Sequence, residues 1–398
     1  MLPLVCVIFL SLLVVTSKKP LNFSLRFFEG LKFIILTDDA IRKYHIPDKV
    51  LAKKSFSFKK ELVTYYLHSM VEQLLSGLPF IADFKNMWTI FLTGVGAAAG
   101  CVILGLLNIG ALKNQLNLFS YGELLVLILL VRIGISASFN RKMHRRFAIG
   151  YGVLMSALCF LFLEKVNLGV FEFRNAVLDL IKIQPMLLNV VASICIGFIA
   201  YSLSTPMLYE LFAYQKLTSV KENIPQFEFA YKIYAEAQKF VRKVSVIAFR
   251  STPFIPLILL FPLKYLTGYN MDTYFTIGFV GFELILAILK LKCIHTNVQI
   301  LTFDALKSVS IFDSKRSFKS GQNAQAHLQR SLLMIPVSGI SLSIHPMLMI
   351  LMSCSYISSF FMNGITQELT QRISLFMMLS FDFILSGYRL FYIFLSDV

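Results

Sequence analysis

Glu123, Arg132, Arg250, Glu283, His345, Asp382 and Arg389 all lie inside apolar stretches of the chain. An ionisable group in such a place is costly unless it has a partner, a wet cavity or a route to the surface. The chemistry open to this set is therefore ion pairing, proton relay or ion binding. Asp382 and Arg389 are seven residues apart in the last apolar stretch. On a helix they share a face, about 10 Å apart along the axis, which is too far for a direct pair. Asp382 is short and sits near the middle of its stretch, so it needs an internal partner. Arg132 and Arg250 are the expected ones.

The elements that must carry these groups are membrane helices. Of 398 residues, 57% are hydrophobic, and the mean hydropathy is +0.70. Apolar runs recur along the chain with charges gathered between them, which reads as an all-α, polytopic helical bundle. The strict alternation of a membrane β-barrel is absent. The strong runs are 86–112, 119–139, 147–163, 183–209, 244–263, 273–289, 331–361 and 373–395. Residues 1–17 read as a further, signal-anchor-like helix, for eight or nine spans. Residues 18–86 read as a basic cytosolic segment whose 62–84 stretch is an amphipathic helix. Residues 87–398 form the multi-pass domain.

The loops support this count. Segment 140–146 holds four bases and no acid, 210–243 six bases and four acids, and 290–330 seven bases and two acids. The intervening loops are poor in charge. Basic loops face the cytosol, so this alternation orients every span. On that topology Arg132, Arg250, Glu283 and Arg389 share a layer about 9–10 Å inside the cytosolic boundary. Two readings stand: an internal ion-pair layer, or arginines that reach individually to lipid head groups.

Five prolines fall inside apolar runs and are candidate helix breaks: Pro253, Pro256, Pro262, Pro336 and Pro346. Between Arg330 and Glu368 there are 37 residues without Asp, Glu, Lys or Arg. A straight helix of that length would be about 55 Å, against about 30 Å of hydrocarbon. Pro346 has no N–H to offer the Leu342 carbonyl. That carbonyl, with Ser338, Ser341, Ser343 and His345, is placed to line a hydrated cavity. The alternative is a proline-kinked helix whose serines bond back to their own backbone. Gly96 and Gly100 form a small-xxx-small pattern suited to close helix packing.

Several classes are excluded or unsupported. There is no HExxH, GxSxG, Walker A or GxGxxG sequence, so no catalytic residue, metal ligand or cofactor is expected. The net charge of +16 reads as topology determinants and contacts to anionic lipid, not as a nucleic-acid surface. No cysteine is placed for a disulfide. Cys293, beside Lys290 and Lys292, is a juxtamembrane thiol open to S-acylation or simply inert.

Collinear stretches resemble the transmembrane protein 161 family. The first is FIILTDDAIRKYHIPDKVL (33–51), with a hydrophobic-Arg-x-Tyr-x-x-Pro pattern at Ile41, Arg42, Tyr44 and Pro47. FIAYSLSTPMLYELFAYQKL (198–217), LKLKCIHTNVQILTFDALKSV (289–309) and GYRLFYIFL (387–395) follow in order. The chain departs from the pattern at Asp38–Asp39 and at Arg389. The resemblance implies a multi-pass protein of eight or nine helices without catalytic activity, connected with ion handling and membrane excitability.

Three functions are therefore expected candidates. The first is a non-enzymatic regulator of calcium or potassium handling that acts through a membrane channel or pump. The second is an ion or small-solute transporter or channel that uses the intramembrane charges. The third is a seven-helix-type chemoreceptor, which the span count disfavours. The lipid bilayer is a partner in each. The location is an integral membrane, either the plasma membrane or the endoplasmic reticulum.

Overall fold

The computed structural model describes residues 28, 32–36, 62–66, 80–106, 142–165, 185–219, 240–251, 272–310, 321–361 and 364–396. Residues 1–17, the stretch holding Glu123 and Arg132, and Pro253, Pro256 and Pro262 lie outside the described residues. So does the Arg250 side chain. Among the described residues seven helices carry the fold: α1 (Ile81–Leu106), α2 (Lys142–Lys165), α3 (Pro185–Ser219), α4 (Phe240–Ser251), α5 (Asp272–Ser310), α6 (Gly321–Ser359) and α7 (Gly364–Ser396). The class is all-α. Strands β1 (Lys32–Leu36) and β2 (Leu62–Tyr66) add one antiparallel ribbon, with Lys32 opposite Tyr66 and Leu36 opposite Leu62. Of the amphipathic helix expected over 62–84, residues 62–66 are instead a strand, and 67–79 lie outside the described residues. The LVTYY segment is β-branched and aromatic and pairs as a strand.

Among the described residues three helices have a stretch long and apolar enough to cross a membrane: Asn189–Gln215, Ile335–Ser359 and Ile373–Leu390. Arg146–Leu161 is a shorter apolar helix. The distribution of side chains points the same way. Ile277, Phe282, Ile285 and Ile288 of α5 are exposed, while Glu283 on its opposite face is 3% exposed. Helix α3 likewise exposes Met186, Leu187, Val191, Ile194 and Phe198. A greasy exterior around a charged interior is what lipid solvates and water does not. The fold is compatible with an integral membrane protein.

Helix α6 is the axis. Of an 18-residue apolar stretch within its Ile335–Ser359 span 94% is buried, against 56% for the corresponding stretches of the other two spans. An all-round apolar sequence suits a helix with neighbours on every side. Its Pro336 and Pro346 sit inside one continuous helix, so neither breaks it. Its serines bond back instead: Ser338 to the Ile335 carbonyl at 3.2 Å, Ser343 to that of Gly339 at 2.6 Å and Ser353 to that of Met349 at 2.8 Å. Each of these buried hydroxyl protons is thereby satisfied within its own helix.

Chain geometry sets the directions. Lys290 of α5 lies beside His345 of α6. Were these helices parallel, the end of α5 and the start of α6 would lie roughly 66 Å apart along the axis. The eleven steps from Ser310 to Gly321 reach only about 40 Å. They are therefore antiparallel. Only four residues separate Ser359 from Gly364, so α7 must run back along α6, as in an αα-hairpin. Helices α5 and α7 consequently run in the same direction on either side of the α6 axis.

Small residues set the closest approach, between α2 and α3. A Cβ on Gly152 would lie 2.8 Å from the Gly197 carbonyl oxygen, and one on Gly197 would lie 2.7 Å from that of Gly152. Only glycine permits this crossing. At Gly96, by contrast, a Cβ would meet nothing within 4 Å, so the pattern around it does not mark a tight contact there. Helix α1 docks through an aromatic stripe of Phe84, Trp88 and Phe91, capped by Phe28 at 4.6 Å from Phe84. Gly339 of α6 leaves the slot for Phe28. The Tyr151 hydroxyl of α2 donates to the Ile384 carbonyl of α7, and its ring meets Tyr388 edge-on at 5.1 Å.

A buried charge cluster as candidate functional site

Four helices bring polar side chains to one point. Glu210 comes from α3, Lys290 from α5, His345 from α6 and Arg389 from α7. Lys290 Nζ lies 3.0 Å from Glu210 Oε1 and 3.4 Å from His345 Nδ1. Arg389 Nη2 approaches the same Glu210 oxygen at 3.7 Å. The side chains of Arg389, Lys290 and Glu210 are 8%, 12% and 25% exposed. An ammonium group only donates, so Nδ1 accepts and the imidazole proton sits on Nε2. His345 is thus the neutral tautomer, held by Lys290.

Glu283 and Asp382 lie two turns further in. Glu283 precedes Lys290 by seven residues on α5, and Asp382 precedes Arg389 by seven on α7. Because the two helices are parallel, one spacing places both bases at one level and both acids at another, about 10 Å away. Asp382 feels the charges of Glu283, Lys290, Arg389 and Glu210. Both acids are buried, at 3% and 1% exposure, and Glu283 Oε1 and Asp382 Oδ2 have no hydrogen-bond partner among the described residues.

A cavity of about 30 Å³ opens beside the Glu210–Lys290 pair, lined by Tyr214, Ser245, Asn297, Leu342, Pro346 and Arg389 among others. That is room for about two waters. Leu342 and Pro346, the acceptor and the missing donor of one backbone hydrogen bond, both line this wall. The short amphipathic helix α4 covers the cavity. It turns Val241, Val244 and Ala248 inward and leaves Phe240 and Ile247 exposed, the division of an interfacial helix. Of the expected 244–263 span, only the first part falls in α4, which starts at Phe240 and ends at Ser251.

Glu283, His345, Asp382 and Arg389 therefore converge. The single-layer arrangement does not hold for Glu283 and Arg389, which belong to different levels. Arg389 does not reach individually to lipid; it is 6% exposed and pairs with Glu210. Two members of the cluster, Glu210 and Lys290, are not anticipated from hydropathy. Each is the first charge after an apolar run, where a loop was expected to begin. The helices instead continue, to Ser219 and Ser310. The signal was the acid-x6-base spacing of Glu283 and Lys290, which repeats that of Asp382 and Arg389. Cys293, one turn past the apolar run of α5, is buried at the cavity wall, and burial pushes its thiol up to about 11.

Among the described residues, no group of three or more His, Cys, Asp or Glu could hold a metal ion. No protein-family model, curated protein or solved structure matches the chain. The functional reading rests on the cluster itself.

Proposed function

We propose that this is a multi-pass membrane protein of eight or nine helices, without catalytic activity, that handles ions through its buried charge cluster. The observation that carries the reading is the convergence of Glu210, Lys290, His345 and Arg389 from four helices, with Glu283 and Asp382 two turns further in. Buried intramembrane charges that face a bundle interior mark ion or solute pathways. The cavity beside Lys290 supports access from the end where the basic loops 210–243 and 290–330 lie. Those loops orient that end toward the cytosol. The membrane is the plasma membrane or the endoplasmic reticulum.

A second reading follows from the resemblance to the transmembrane protein 161 family. There the chain regulates calcium or potassium handling by binding a channel or pump, and the cluster fixes helix register. Reconstitution of the purified protein into liposomes separates the two. Ion or solute flux that is lost in Asp382→Asn and in Glu283→Gln supports transport. Absence of flux, together with co-purification of a channel or pump, supports regulation.

A further inference from the structure

Helix α4 is held to the bundle by little. Its Val241 and Val244 pack with Leu217 of α3 and with Cys293 and Ile300 of α5, in a small apolar cluster separate from the main core. A short helix with so few buried contacts is the kind of element that opens locally at low cost. Val244, Ser245 and Ala248 form one wall of the cavity beside the Glu210–Lys290 pair. Undocking of α4 therefore opens that cavity and bares Cys293, which is 1% exposed beneath it.

A second stripe of α4 faces outward. Phe240 and Ile247 are 53% and 54% exposed, and Lys243 between them is exposed too. Steps of three and four residues put them on one line, about 10 Å long. Each directly precedes an inward residue (Val241, Val244 or Ala248), so the stripe lies about 100° round the helix from the buried face. Both faces can be engaged at once. The position of α4 says what covers the stripe. Glu210, Ala213 and Tyr214 share the cavity wall with α4 and lie at the end of the Asn189–Gln215 span. That puts α4 at the boundary between hydrocarbon and head groups. Two large apolar side chains flanking a base suit this boundary: the apolar groups enter the acyl region and the ammonium reaches phosphate. Loops 210–243 and 290–330 turn this end toward the cytosol, where the leaflet is anionic. We propose that Phe240, Lys243 and Ile247 dock on anionic phospholipid, and that this docking holds α4 closed over the Glu210–Lys290 cavity. The inference rests on the membrane placement in the function proposed above, and not on ion movement through the cluster.

The test places the full-length protein in nanodiscs of phosphatidylcholine alone or of phosphatidylcholine mixed with phosphatidylserine, at one fixed pH and with no gradient. Mass spectrometry reads the alkylation rate of Cys293. One base at an anionic surface shifts docking about fivefold, so Cys293 should react about fivefold more slowly in the anionic discs. In Lys243→Gln the slowing should be lost, with the rate in neutral discs unchanged. Lys243 is exposed, so this variant leaves the packing of α4 intact. Equal rates for the wild-type protein in the two lipids overturn the docking surface, and that outcome needs no variant. Slowing that persists in Lys243→Gln is the anionic surface acting on local pH, and it overturns the proposal as well. Failure of the chain to enter nanodiscs at all removes the membrane reading and the lipid surface together. Slowing that depends on Lys243, with no flux in liposomes, removes transport and keeps the lipid surface; flux with lipid-independent alkylation does the reverse.

Discussion

Glu210 shows what one residue does in this interior. A single carboxylate oxygen serves two cations of the cluster, Lys290 and Arg389. Glu210→Gln would leave both bases facing only the deeper acids. Removing one member of a buried pair costs about 3–5 kcal/mol; Glu210 keeps a quarter of its side chain exposed, so about 3 kcal/mol is expected. Denaturant or thermal unfolding in detergent would measure it. The double variant Glu210→Gln/Lys290→Met should recover much of that loss, because the closest cation is then removed together with the carboxylate that answered it. A double-variant loss equal to the sum of the Glu210→Gln and Lys290→Met losses would mean the pair is not coupled. Cys293 gives a second residue-scale expectation. Its thiol is buried and raised from the usual 9 to about 11, so at pH 8 the reactive thiolate is about a hundredfold scarcer than for an unperturbed thiol. Site-resolved alkylation should find Cys293 slow in the folded protein, faster as pH rises toward 11, and fast on unfolding. Modification of the native protein at pH 8 at the rate of a free thiol would contradict the burial described. Hydropathy could not have found Glu210 or Lys290, since it ends a span at the first charge. It does not register that a charge can point inward and be answered from another helix.

At the scale of elements, the test is which glycines the helix contacts require. The small-xxx-small pattern points to Gly96, yet the tight crossing is between Gly152 and Gly197, where a Cβ would come within 2.8 Å of backbone. Backbone cannot move aside as a flexible side chain does. Gly197→Leu is therefore expected to cost about 3 kcal/mol by overpacking and to separate α2 from α3. Gly96→Ala, with open space around the new methyl, should instead be neutral or gain up to about 1 kcal/mol from helix propensity. Thermal unfolding of the two variants side by side decides between these; equal effects would mean that the α2–α3 crossing is looser than described. The helices themselves were legible as apolar runs. Their lengths were not: α5 and α6 each reach 39 residues, about 58 Å, and hydropathy does not mark where a helix stops once its sequence has turned polar. Pro336 and Pro346 misled for a related reason. A proline removes one hydrogen bond, but neighbours packed on every side of α6 hold the helix together across the gap.

The whole molecule rests on α5, α6 and α7 running up, down and up about one buried axis. Parallel α5 and α7 put Lys290 level with Arg389 and Glu283 level with Asp382, so the cluster exists only in this topology. The charge pattern of the loops, read from sequence, independently places segments 290–330 and 210–243 on the cytosolic side. Helix direction and loop charge together make one prediction about sidedness. An epitope inserted at 311–320 and another just after Ser396 should be reached by antibody only once the membrane face toward the cytosol is accessible. An epitope in the turn between Ser359 and Gly364 should show the opposite behaviour. The insertion points lie between helices or past α7, so the cluster itself is left intact. Selective permeabilisation of cells that express each tagged chain reads all three. If the 311–320 and post-Ser396 tags reported opposite sides, α5 and α7 would be antiparallel. Lys290 could not then share Glu210 with Arg389 while Glu283 lies level with Asp382, and the two-level cluster would fall.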